Sequence, residues 1–343
     1  MAAPKGSTPG DAAEDGTGIS EGRARATFDA GDPAVTAAGR RPTRATVEGR
    51  AYLDLRSLAH GQHRPTDELH QLYALEGFLA RLAGSPHAEQ LVLKGGMLLA
   101  AYDGRRPTRD VDMQARTLTG ERDAVLDLVR SIVAVAMDDG LVFDADSATA
   151  EIIRDEDEYS GVRVNLTATL ASAKLSLHVD VNIGDPIWPA PRTVDLPRLL
   201  GGTISLVGYP LPMVYAEKIV TALQRGTINT RWRDFADLYT LTGRQPVNGV
   251  DVQRALAEVA AYRQVELSPL ADALDGYAAL AQARWLVWRR KQQLDDRLPS
   301  SFLDVLGPVI AFADGALTGQ VTQAQWDPAM RRWNASFDDQ AKG

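Results

Sequence analysis

Residues 91–114 read LVLKGGMLLAAYDGRRPTRDVDMQ, and this stretch decides the fold. Leu91 to Lys94 form a short apolar run that reads as a strand, and Gly95-Gly96 turn the chain into a helix over Met97–Tyr102, closed by Asp103-Gly104. A basic loop with Arg105, Arg106 and Arg109 leads into Asp110-Val111-Asp112, the start of a second strand. Side chains at i and i+2 of a strand point the same way, so Asp110 and Asp112 present two carboxylates on one surface with Val111 buried behind them. Two adjacent carboxylates repel unless a cation sits between them. Mg²⁺ takes oxygen ligands and is commonly held by one or two carboxylates together with substrate phosphates. Glycines at a helix start let backbone N–H groups approach a phosphate closely.

Outward from this stretch, the pattern predicts an α+β fold: a small mixed sheet with helices before it and a largely helical C-terminal half. On the N-terminal side, leucines from Leu53 to Leu82 recur at helical spacing and predict one or two helices. On the C-terminal side come an amphipathic helix over 121–137 and strands over 149–154, 162–170, 175–183 and 203–207. Pro186, Pro189, Pro191 and Pro197 mark an irregular stretch before the last of these strands. Beyond Pro212 the periodicity predicts helices over 213–225, 231–242, 251–263, 267–292, 300–315 and 322–337. The expected division is a disordered tail over 1–45, an α/β core over 46–210 and a helical C-terminal domain over 211–340. The tail is small, polar and charge-balanced, as unstructured leaders are.

Composition narrows the chemistry. The 343 residues contain no cysteine, which excludes disulfides, a thiol nucleophile and Cys-ligated metal. No apolar run is long enough for a membrane span and no secretory signal is evident, so a cytoplasmic location is expected. The net charge of −8 argues against a broadly basic nucleic-acid surface but leaves room for a basic cleft.

A third carboxylate would complete a metal site. In 175–183, LSLHVDVNI, Asp180 lies between Val179 and Val181, which face the other way, and an acid in an apolar strand needs a partner. The alternative is a solvent-facing edge residue. His178 and Asn182 share its face. Further on, Glu217 and Lys218 sit on an amphipathic helix, and Arg233, Asp234 and Asp237 open the next one. The bland reading of these charges is a salt-bridged helix pair; the functional one is a lysine gripping phosphate while an acid orients it. Arg225 to Arg233, with Arg105, Arg106 and Arg109, would form a basic rim. His60 and His63 lack a third ligand nearby, and Trp285 with Trp288 on a basic stretch reads as core rather than a base-stacking platform.

The combination LVLKGG…TRDVDM, then YPLPMVYAEKI over 209–219, then RWRDFADLY over 231–239 resembles the AbiEii/AbiGii-type toxins. These are nucleotidyltransferases of the DNA polymerase β-like superfamily found in bacterial toxin–antitoxin and phage-defence systems. The resemblance spans roughly residues 50–290 by motif order. It implies that Gly95 and Gly96 are the glycines of the first motif, that Lys94 is the lysine before them, and that Asp110 and Asp112 are the metal-binding pair. It makes Lys218 the second-motif lysine near the phosphates and Asp237 the acid of the late motif, flanked by Arg233 and Asp234. The wider superfamily commonly places a serine after the first glycine, whereas Gly96 and Met97 follow Gly95 here, so Thr108 is the alternative hydroxyl, with Arg109 beside it in the nucleotide-binding set.

The resulting expectation is a Mg²⁺-dependent (or Mn²⁺-dependent) nucleotidyltransferase using an NTP. Asp110, Asp112, Lys218 and Asp237 are its expected catalytic residues, and Asp110, Asp112 and Asp180 its expected metal ligands. The resemblance implies the 3′ end of tRNA as acceptor, a block of translation as outcome and a cognate antitoxin as partner. The competing readings are transfer to protein or a small molecule, and a catalytically inactive nucleotide-binding relative.

Overall fold

The computed structural model of the protein describes residues 41–116, 118, 121–154 and 160–335. The tail expected over residues 1–45 lies outside the described residues up to residue 40. Described structure begins with α1 (Val47–Gly61), whose N-cap Thr46 accepts a hydrogen bond from the Gly49 N–H, and continues with α2 (Thr66–Ala83). β1 (Leu91–Lys94) runs into α3 (Gly95–Leu98) and a 3₁₀ turn over Leu99–Tyr102. β2 (Asp110–Ala115) and α4 (Arg122–Val133) follow, then β3 (Leu141–Arg154), β4 (Ser160–Leu170), β5 (Ala173–Ile183), β6 (Arg192–Pro197) and β7 (Thr203–Gly208). The helices α5 (Leu211–Arg225), α6 (Trp232–Thr242), α7 (Gly249–Arg263), α8 (Leu270–Ala273), α9 (Tyr277–Lys291) and α10 (Phe302–Leu317) lead to a hairpin of β8 (Ala324–Asp327) and β9 (Arg332–Ala335).

The seven main strands form one mixed sheet in the order β3-β4-β5-β2-β1-β7-β6. β2 pairs parallel with β5 and antiparallel with β1, so the two acid-bearing strands are neighbours at the sheet centre. Alternation divides the faces. Val111, Met113, Val179 and Val181 are buried on the side packed by α2, while Asp110, Asp112 and Asp180 take the other. Their apolar burial against the helix layer is the main force holding the acid strands in place.

Three expectations need correction. In place of the helix expected over 322–337, the described residues 324–335 form a hairpin, because Trp326 and Trp333 pair across its strands and Asp327 accepts from the backbone N–H groups of Ala329 and Met330 to close the turn. The single helix over 267–292 is broken after α8, where Gly276 takes a positive φ of 71°. The proline-rich stretch contains β6, whose alternate residues Val194 and Leu196 are buried. Trp285 is fully buried, as core residues are, and stacks on Trp288.

One buried ion pair ties α2 to the start of β3. Arg81 donates to both oxygens of Asp139 at 2.6 and 3.1 Å and to the carbonyl of Leu141. Asp139→Ala would strand the guanidinium in the core, a loss of about 3–5 kcal/mol. Urea unfolding of the variant should show that drop, and a change under about 1 kcal/mol would mean that water compensates Arg81.

Candidate active site

The sheet register assembles the site. Lys94 of β1 lies opposite Asp112 of β2, Asp112 opposite Asp180 of β5, and Asp180 opposite Arg163 of β4. Direct cross-strand partners share a face, so these four side chains stand in a row, with Asp110 two residues along β2 on the same side. Ligand atoms of Asp110, Asp112 and Asp180 all lie within 4.8 Å of one another. Like charges placed directly opposite are destabilising. The effect is visible at Asp112: burial first, then Asp110 and Asp180, push its pKa up to about 6 against the opposing pull of Lys94 and Arg106.

The glycines serve this carboxylate. Gly95 has φ of 65°, and a Cβ there would fall 1.8 Å from Asp112 Oδ2. A Cβ on Gly96 would come within 2.6 Å of Thr108 Oγ1 and 3.0 Å of an Arg106 nitrogen. Both positions therefore exclude any side chain, because the acids and their escorts pack against bare backbone.

These groups line a cavity of about 490 Å³. Among the described residues its wall has seven cationic side chains, Lys94, Arg106, Arg163, Lys218, Arg231, Arg233 and Arg263, against five acidic ones. Asp185 and Asp237 stand directly behind Lys94, Lys218 and Arg106, so the cleft is densely charged, with its cations on the wall and part of their balancing charge behind it.

Most of the cations are braced by acids. Lys218, on α5, donates to Asp234 and Asp237 of α6 at 2.8 Å each. Arg106 forks onto both oxygens of Asp237 at 2.8 and 3.1 Å. Asp237 is itself buried outside the cavity wall, so it aims Lys218 and Arg106 into the cleft. Lys94 donates to Asp185 at 3.0 Å and Glu217 at 3.1 Å. Burial works to lower the Lys94 pKa, but Glu217, Tyr209 and Asp185 prevail and hold it well above the ordinary value. Burial likewise opposes the ionised form of Asp234, yet Lys218 and Arg231 hold its pKa below the usual range.

Of the residues singled out in the sequence, the structure brings Lys94, Gly95, Gly96, Asp110, Asp112, Asp180, Lys218, Arg233 and Asp234 to one cavity. Thr108 is buried just outside it, where its hydroxyl donates to Asp110 Oδ1 at 2.6 Å. Arg109 is exposed and away from the wall, and Arg105 is drawn off by Glu76 at 2.6 Å, so the basic rim is built differently than expected. Asn182 lines the cavity; His178 instead contacts Asn165 at 2.5 Å. Arg163, Asp185 and Arg263 went unread in the sequence. Their only signal is a charge within an apolar alternation or at an element's end, and their partners are set by long-range register.

A family model described as nucleotidyl transferase AbiEii toxin, type IV TA system, matches residues 77–336. Two solved structures are similar. JHP933 from Helicobacter pylori is 15% identical, with 74% of this chain and 94% of that chain covered and a TM-score of 0.44. An H. pylori protein named as a candidate nucleotidyltransferase is 16% identical, with the same coverage and a TM-score of 0.41. No curated protein matches the sequence.

The repulsion at Asp112 yields a test that needs no substrate. With metal removed by chelator at neutral pH, Asp112→Asn should melt about 2–4 °C above wild type. The raised pKa means that the folded protein takes up a proton as pH falls through about 6, so wild type gains stability there and the gap should close. Differential scanning calorimetry across that range checks both parts. A variant that melts lower at every pH would mean that the three carboxylates are not in conflict.

Proposed function

The chain belongs to the AbiEii family of nucleotidyl transferase toxins of type IV toxin–antitoxin systems, and from that premise we propose that it moves a nucleotide from an NTP to an acceptor hydroxyl, the 3′ end of tRNA. The observation that carries the reading is the trio Asp110, Asp112 and Asp180, set within 4.8 Å of one another in a cleft whose wall also presents lysine and arginine side chains.

The trio fits a divalent cation. Its donors are hard carboxylate oxygens, which suit Mg²⁺ or Mn²⁺, and the crowding of Asp112 by Asp110 and Asp180 is the kind of repulsion that a cation relieves. When bound, such an ion supplies Lewis-acid stabilisation of phosphate charge and lowers the pKa of the acceptor hydroxyl. The chain's own groups do the rest. Lys218 and Arg106, held rigid by Asp234 and Asp237, take the triphosphate oxygens. Arg233, exposed on the wall and without a carboxylate partner among the described residues, meets the incoming polyanion. The acceptor hydroxyl gives up its proton to water as its oxygen attacks the α-phosphorus, the bond from that phosphorus to the oxygen bridging to the β-phosphate breaks, and pyrophosphate leaves with that electron pair. Preorganised cations stabilise the charge that develops without having to reorganise. In this reading the core over 46–210 supplies the carboxylates and the helical domain from 211 supplies Lys218 and the Arg231–Arg233 edge. Capping the acceptor end of tRNA in the cytoplasm would stop translation, and a cognate antitoxin would restrain the effect.

Incubation of the protein with each α-labelled NTP, Mg²⁺ and total tRNA provides the test. Wild type should label tRNA, and Asp110→Ala should reduce labelling by at least about 100-fold. Equal labelling by the variant would overturn the site, and label appearing in cell protein rather than in tRNA would overturn the acceptor.

A further inference from the structure

Arg163 differs from the other cations of the cleft. Lys94, Lys218 and Arg106 are held by Asp185, Glu217, Asp234 and Asp237, none of which belongs to the carboxylate trio. Arg163 forks onto Asp180, with Nε donating to Oδ1 at 2.8 Å and Nη2 donating to Oδ2 at 2.7 Å. Both oxygens of one trio member are therefore engaged by a guanidinium. The Asp180 side chain is 9% exposed, whereas that of Arg163 is 36% exposed and forms part of the cavity wall. The acid is the more buried of the two, and the arginine, partly exposed on a long stem, has room to move. Glu151 lies opposite it on β3, so a second acid is within reach if Arg163 leaves Asp180.

A guanidinium and a divalent cation compete for the same carboxylate oxygens and repel each other across it. A guanidinium fork also matches a phosphate as well as it matches a carboxylate. We propose that Arg163 guards the third carboxylate: it lies on Asp180 while the cleft is empty and transfers to the phosphates of the nucleotide when Asp180 turns to the metal. This rests on the nucleotidyltransferase reading and adds an order to it. The free cation binds weakly by itself, and cation and triphosphate enter together. Arg163 is thereby both a phosphate-binding residue and the device that couples the two ligands. By linkage, the factor by which nucleotide strengthens metal binding is the factor by which metal strengthens nucleotide binding.

The test uses the full chain and Mn²⁺ titration followed by electron paramagnetic resonance, first without nucleotide and then with a non-hydrolysable NTP analogue whose own binding is measured in parallel. Arg163→Gln should bind Mn²⁺ about tenfold more tightly than wild type in the absence of nucleotide and should bind the analogue about tenfold more weakly. Arg163→Lys keeps the charge but loses the fork and should fall between the two; it carries the test if the glutamine variant does not fold. A merely structural role for Arg163 would weaken both ligands together. Unchanged or weaker Mn²⁺ binding in the variant, with binding still abolished by Asp110→Asn, overturns the guard while leaving the metal site standing. Tighter Mn²⁺ with unchanged analogue binding overturns the transfer to phosphate. Absence of Mn²⁺ binding to wild type both without and with the analogue overturns the metal reading and the guard with it.

Discussion

Glu151, Arg163, Asp180, Asp112 and Lys94 occupy one row across five adjacent strands, and the register that aligns them is the constraint on which the site depends. In a sheet, slipping one strand by one residue turns its side chains to the other face. Such a slip in β5 would send Asp180 into the helix layer and Val179 or Val181 into the cleft. What prevents it is the burial of Val111, Met113, Val179 and Val181 on the opposite side. The apolar face thus fixes where the charges stand, including Asp112 directly across from Asp180, an arrangement that costs stability in an empty site.

The charges around that row are arranged in two shells with different tasks. Asp185 and Glu217 hold Lys94, while Asp234 and Asp237 hold Lys218 and Arg106, so the cations are oriented before any ligand arrives. Each brace links separate elements: β1 to α5, α5 to α6, and the loop before β2 to α6. Ion pairs therefore join the elements around the cleft, and its wall stays polar enough for a triphosphate. The chain as a whole has a net charge of −8, yet cations outnumber acids on the cavity wall.

Much of this was legible in local pattern. Alternation placed Asp110 and Asp112 on one face, and an acid between two valines marked Asp180. Local pattern does not contain register, however, and so Arg163 opposite Asp180 and Asp185 beside Lys94 could not be read. The glycines were found for one reason and are required for another: they make room for Asp112, Thr108 and Arg106. The hairpin near the C-terminus reads as a helix in the sequence because Trp326, Met330 and Trp333 fall at i, i+4 and i+7. The Asp327-Pro328 dipeptide was the turn signal that should have outweighed it. The split of 267–292 had similar markers in Pro269 and Asp275-Gly276.

The account stands or falls on whether the trio holds a metal. Anomalous diffraction at the manganese edge, from crystals grown with Mn²⁺ and a non-hydrolysable NTP, addresses this most directly. The account predicts a peak between the carboxylates of Asp110, Asp112 and Asp180, with the analogue's phosphates beside it. A nucleotide bound in the cleft with no manganese peak at those carboxylates would contradict it.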